Sequence, residues 1–68
     1  MNADELRRIR NFLGLTQMLV SVATGISVYR LSGAENGRLA LNRTERAVLE
    51  NYYKTKLRIL AEAKQEGL

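Results

Sequence analysis

Residues 15–38 read LTQMLVSVATGISVYRLSGAENGR, and the fold turns on how this stretch divides. Thr16 suits an N-cap, because its hydroxyl can accept from a backbone N–H one turn further on. A helix over about residues 17–24 would place Val20 and Thr24 on one face at i, i+4, with Ser21 small enough for a close helix crossing. Gly25 supplies a residue that turns the chain at positive φ. Ile26 returns to the core and Ser27 caps a second helix, from Val28 to about Asn36, whose inward positions are Leu31 and Ala34. Gly37 marks its end.

Two short helices joined by a tight, glycine-containing turn form a helix-turn-helix, an arrangement used to read DNA. With Leu31 and Ala34 inside, the outward face of the second helix carries Tyr29, Gly33 and Asn36 at i, i+4, i+7. Val28 sits in the first turn, Arg30 and Ser32 flank the face, and Glu35 falls on the inner side. Met18, Leu19 and Val22 on the first helix are apolar beyond what its inner face needs. The rest of so small a protein is expected to cover them, a partner interface being the alternative.

Upstream, Asn2 and Glu5 have the N-x-x-E spacing of a capping box, and Asp4 and Glu5 suit the positive end of a helix. Leu6, Ile9 and Leu13 follow at i, i+3, i+7, so this helix runs to about Leu13 and stops at Gly14. Arg7, Arg8 and Asn11 point away from the stripe. Arg10 lies at the edge of the core face, where a charge needs a partner.

Sixty-eight residues make one domain, and a core of that size supplies only about 3–5 kcal/mol unaided. With no Cys and no His, disulfides and the usual zinc or thiolate sites are excluded, which leaves a partner chain as the stabilising device. No apolar run approaches the roughly 18 residues of a membrane span and no signal-peptide core is present, so a soluble, cytoplasmic protein without membrane attachment is expected. Eleven Lys or Arg against seven Asp or Glu give +4, a weak argument for a polyanionic partner.

After the short connection Arg38-Leu39-Ala40-Leu41, Asn42 and Glu45 form a second N-x-x-E pair. No Gly or Pro follows until Gly67, so one long helix from about Arg43 to Gln65 is expected. Its apolar stripe is Val48, Leu49, Tyr52, Tyr53, Leu57, Ile59, Leu60 and Ala63, with Asn51, Lys54, Arg58 and Glu62 opposite. Lys56 falls inside the stripe, where its stem can snorkel or the helix can bend. Such a helix spans roughly 35 Å, whereas a globule of this chain length has a diameter of roughly 28 Å. The overhang predicts a homodimer through this helix, with Tyr52, Tyr53, Lys56, Leu57, Ile59 and Leu60 as its interface.

Leu13-Gly14-Leu15-Thr16-Gln17, Gly25-Ile26-Ser27 and Leu31-Ser32 followed by Glu35-Asn36-Gly37 together resemble the lambda-repressor-like, or XRE-type, helix-turn-helix family, which includes Cro and the phage repressors. The match runs without a gap over about residues 5–38. The resemblance implies an all-α domain of about four helices, its helix-turn-helix unit over about residues 16–37, with the second helix of that unit in the major groove. It also implies a symmetric dimer on two half-sites about one helical turn, roughly 34 Å, apart. By the same resemblance Gln17 would bond a DNA phosphate beside a helix N-terminus. Ser27, Val28, Tyr29 and Gly33 hold positions that contact base edges or adjacent phosphates, and Arg10 and Glu35 match an internal salt bridge. The long C-terminal helix departs from relatives, which usually have two short helices there.

The reading head also departs from common members. Val28 can pack on a thymine methyl, Tyr29 can pack on a base or bond a phosphate, and Arg30 can reach a guanine edge or a phosphate. Gly33 either permits close approach to DNA or is a tolerated gap. Ser32 and Asn36 complete the outward face, and Arg38 and Arg43 form a cationic rim. The expectation is a homodimeric transcriptional repressor of a phage or mobile-element operon, binding double-stranded DNA at a palindromic operator. The alternative is a protein-interaction module, such as an antitoxin that binds its partner with apolar helices. No enzymatic activity, metal, cofactor or small-molecule effector is expected, since catalytic groups and phosphate loops are missing.

Overall fold

Local caps set the start of every helix. The computed structural model describes residues 1–66, in the order α1 (Ala3–Phe12), α2 (Gln17–Thr24), α3 (Val28–Glu35) and α4 (Arg43–Glu66), with no strand among the described residues. Asn2 and Glu5 exchange both bonds of the expected capping box. Thr16 accepts from the Leu19 N–H and Ser27 from the Arg30 N–H. Asn42 and Glu45 form the second box, at 2.8 and 3.0 Å. Each bond satisfies a backbone donor that the first turn of a helix leaves unpaired. Gly67, the expected stop for α4, lies outside the described residues.

Between α2 and α3 the chain turns in three residues. Gly25 is left-handed, at φ 77°. The Thr24 hydroxyl donates to the Val20 carbonyl at 2.7 Å and accepts from the Ile26 N–H, which aims Ile26 into the core. Leu6, Val20, Ile26, Leu31, Ala34, Leu41, Leu49 and Tyr53 form that core. α3 sits at its centre, packed against both α1 and α2, while α4 crosses α2. Tyr53, Leu31, Leu49 and Val20 are the largest fully buried side chains, each worth about 1.5–3 kcal/mol of apolar burial.

The stripe on α4 divides where the sequence suggests one surface. Leu49 and Tyr53, at i, i+4, enter the core. Tyr53 was expected at a dimer interface; it is instead wholly buried within its own chain, because the first half of α4 docks along this face. Tyr52 is half-buried beside it, the two rings 5.9 Å apart and tilted by 45°. Leu57 is half-buried, whereas Val48, Ile59 and Leu60 are exposed. By phase Leu60 belongs on the same face as Tyr53, seven residues earlier; it is 42% exposed because the body of the protein ends beneath it. The molecule measures 42 × 19 × 19 Å, and the long dimension follows from α4, about 36 Å at 1.5 Å per residue. At Lys56 the helix continues unbroken, and the ammonium lies 5.5 Å above the Tyr52 ring, so the charge stays at the surface while its stem covers an aromatic face.

A second expectation fails on α2. Met18, Leu19 and Val22 are 63, 54 and 78% exposed, so the rest of the chain does not cover them. α2 spends its inner face on Val20 alone among fully buried positions, and its outer face is left open.

Candidate nucleic-acid interface

The end of α3 is built by a glycine and shapes the surface beside it. Gly37 is left-handed, at φ 71°. Its N–H donates to the Ala34 carbonyl, and the Arg38 N–H donates to the Gly33 carbonyl at 2.8 Å. These are the two bonds of a Schellman cap, and they satisfy carbonyls that the helix end leaves unpaired. The chain is thereby turned back so that Leu39 lies flat on Gly33. A Cβ at position 33 would come within 2.5 Å of Leu39 Cδ2 and 2.7 Å of its Cγ. Gly33 was expected on the outward face; it is buried, because Leu39 occupies the place its side chain would take.

Around this contact lies an open groove of about 500 Å³, lined by Gln17, Val28, Tyr29, Ser32, Gly33, Arg38 and Leu39. Six of these come from the ten candidate DNA-binding residues. They originate in three segments: the start of α2, the outer face of α3, and the connection to α4. No acidic side chain lines the groove among the described residues, and Arg38 is exposed at its rim. Tyr29 stands clear of the surface. Ser27 is committed to its cap, Asn36 donates its amide to the Ser32 carbonyl at 2.9 Å, and Arg43 opens α4; these three lie outside the groove. Leu39 escaped the sequence reading. The available signal was a bulky apolar residue two positions after the helix-stop glycine, paired with a missing side chain at Gly33.

One wall of the groove is anchored by a buried ion pair. Arg10 donates from Nε to Glu35 Oε2 at 2.7 Å and from Nη2 to Oε1 at 2.9 Å, and its Nη1 reaches the Leu15 carbonyl at 2.9 Å. The helical periodicity placed both residues on inner faces, and the structure joins them. Gln17 Nε2 donates to the same Glu35 Oε1 at 3.2 Å, so the side chain expected to meet a phosphate is also tethered to the pair. Its amide keeps a second N–H. Hydrogen bonding to Glu35 holds the Arg10 guanidinium more firmly protonated. Burial, together with the charge of Glu35, pushes the Tyr53 hydroxyl up to about 12.

Arg30 is placed differently from expectation. Its Nε and Nη2 donate to the two carboxylate oxygens of Glu45 at 2.5 and 2.6 Å. The fork that could read a guanine edge is occupied by an acid at the start of α4, and Arg30 does not line the groove. Glu45 thus serves its own helix cap and holds α3 at once. The Arg30 bonds first, and the Asn42 N–H second, lower the Glu45 carboxyl from an ordinary 4.5 to about 2. A carboxyl whose folded value is depressed stabilises the fold above its unfolded value and loses that contribution as acid protonates it. The stabilisation is therefore complete above about pH 4.5 and disappears toward pH 2. Glu45→Gln should remove this part of the acid-induced loss, measured by circular dichroism in urea across that range; identical acid slopes in the two proteins would refute it.

No helix among the described residues is long and apolar enough to cross a membrane. Comparison with protein-family models, curated proteins and solved structures yields no match.

Proposed function

We propose that this chain is a dimeric, sequence-specific DNA-binding regulator that represses a phage or mobile-element operon, its own included, in the manner of the lambda-repressor-like proteins it resembles. The observation that carries this reading is the groove. Three segments bring Gln17, Val28, Tyr29, Ser32 and Arg38 around one concave surface with a cation and, among the described residues, no carboxylate. Duplex DNA meets such a surface with phosphates at its rim and base edges at its floor. Gln17 and the start of α2 take a phosphate, Tyr29 and Val28 face the bases, and Arg38 and Arg43 neutralise the flanking backbone.

The second copy is assigned to the overhanging part of α4. Leu60 has the phase of a core residue with no body beneath it, and Leu57 and Ile59 border it. Two such helices packed about a two-fold axis cover one another and set the two reading heads apart at a fixed distance.

Selection of bound duplexes from a random pool tests the reading, and a palindrome with half-sites about one helical turn apart is the expected product. Affinity should fall steeply with salt, and Arg38→Ala should weaken all duplexes alike and reduce the salt slope by about 1. Binding unaffected by salt, or a pool without enrichment, overturns the proposal.

A specific observation also favours a second reading. The bare Met18, Leu19 and Val22 form a charge-free helix face suited to a protein partner, as in an antitoxin. Val22→Glu separates the two: it leaves operator binding intact if the apolar face of α2 plays no part in DNA reading, and abolishes complex formation if this face holds a partner.

A further inference from the structure

We propose that Leu39, a residue outside the helix-turn-helix unit, acts as a base reader, and that with Val28 it selects thymine through its C5 methyl. The inference rests on the DNA-binding reading above and names the chemistry the groove selects. Gly33 stands on the groove side of α3, one turn beyond Tyr29, where a longer residue would project a side chain. That volume is filled from outside the helix: Leu39 Cδ2 and Cγ lie 2.5 and 2.7 Å from where a Cβ on Gly33 would be. The Schellman cap holds Leu39 there, since the Arg38 and Leu39 N–H groups both donate to the Gly33 carbonyl, at 2.8 and 3.3 Å. Leu39 is half-buried, with one side against the core and the other lining the groove beside Val28.

The floor of the groove is thus two branched aliphatic side chains framed by Tyr29, Ser32 and Arg38. Aliphatic groups satisfy no donor or acceptor on a base edge. In the major groove the feature they match is the methyl group of thymine, which cytosine and the purines lack. The fork of Arg30, which would favour guanine, is occupied by Glu45. Charge complementarity selects the polymer, through Arg38 at the rim with no carboxylate in the lining among the described residues, and the aliphatic floor selects the base.

The test uses the full chain and the duplex enriched from a random pool. Thymines in the half-site are replaced one at a time by deoxyuridine, which removes only the methyl. At one or two positions binding should weaken about fourfold, the worth of one buried methylene. Leu39→Ala should abolish the penalty at one of these positions and Val28→Ala at its neighbour, each with wild-type sensitivity elsewhere. Leu39→Asn, which keeps a similar branched shape but is polar, serves if the alanine variant does not fold and should lose the penalty at the same position. Uniform binding of all uracil-substituted duplexes, a half-site without thymine, or a full penalty retained in both Leu39 variants overturns the proposal while leaving the DNA-binding reading in place. A pool without enrichment overturns both.

Discussion

Arg10→Ala is expected to leave the protein largely unfolded at ordinary temperature. Glu35 is only 5% exposed and receives two charge-assisted bonds from Arg10, while the third Arg10 bond ties α1 to the Leu15 carbonyl. Without Arg10 the carboxylate keeps Gln17 alone among these donors. Breaking a buried pair from one side costs about 3–5 kcal/mol, as much as the roughly 3–5 kcal/mol that a core of this size provides. At about 4–8 °C per kcal/mol for a small domain, the melting temperature should fall by more than about 12 °C. Replacing both members, Arg10→Met with Glu35→Leu, should recover most of the loss, because no charge is then stranded. An Arg10→Ala melt within a few degrees of wild type would show that the pair contributes little.

Ile59→Asp combined with Leu60→Asp should convert the protein to a monomer without unfolding it. Both side chains are exposed in the single chain, so the substitutions cost the isolated domain little. In the proposed dimer they would bury carboxylates against a second copy, where an unpaired charge is strongly disfavoured. Joining two half-site contacts raises overall affinity by roughly 10²–10⁴ over one, and operator binding should fall by that factor while non-specific binding changes little. Light scattering at micromolar concentration and operator titration give the two readouts. A wild-type chain that scatters as a monomer, or a variant that keeps its dimer, removes α4 as the dimer helix.

Much of the architecture was legible in the sequence because it is local. Asn2, Thr16, Ser27 and Asn42 each act on a backbone N–H three residues away, so short patterns expose them. Arg10 and Glu35 were found by a different route, as charges on faces that periodicity places inside. The misjudged residues depend on where one element ends relative to another. Whether Tyr53 is covered by its own chain depends on where α4 leaves the body, and hydrophobic periodicity carries no such coordinate. Arg30 and Glu45 sit fifteen positions apart on different helices, and only the tertiary fold brings them together. Leu39 on Gly33 is hidden for a related reason: a missing side chain looks like a gap until a neighbour fills it.

Glu45 joins two roles in one carboxylate, capping α4 and holding the Arg30 fork on α3. In a dimer built through α4, this makes the protein a rigid caliper rather than two hinged clamps. Each α3 would be braced to the base of the helix proposed to meet the partner, so the distance and angle between the two heads would follow from the dimer axis. One base pair added between the half-sites turns one of them by roughly 35° about the duplex and moves it about 3.4 Å along the axis. A braced dimer has no joint with which to follow that change. Operators with altered spacing should be refused even when both half-sites are perfect, and Glu45→Gln, by loosening the brace, should soften the refusal.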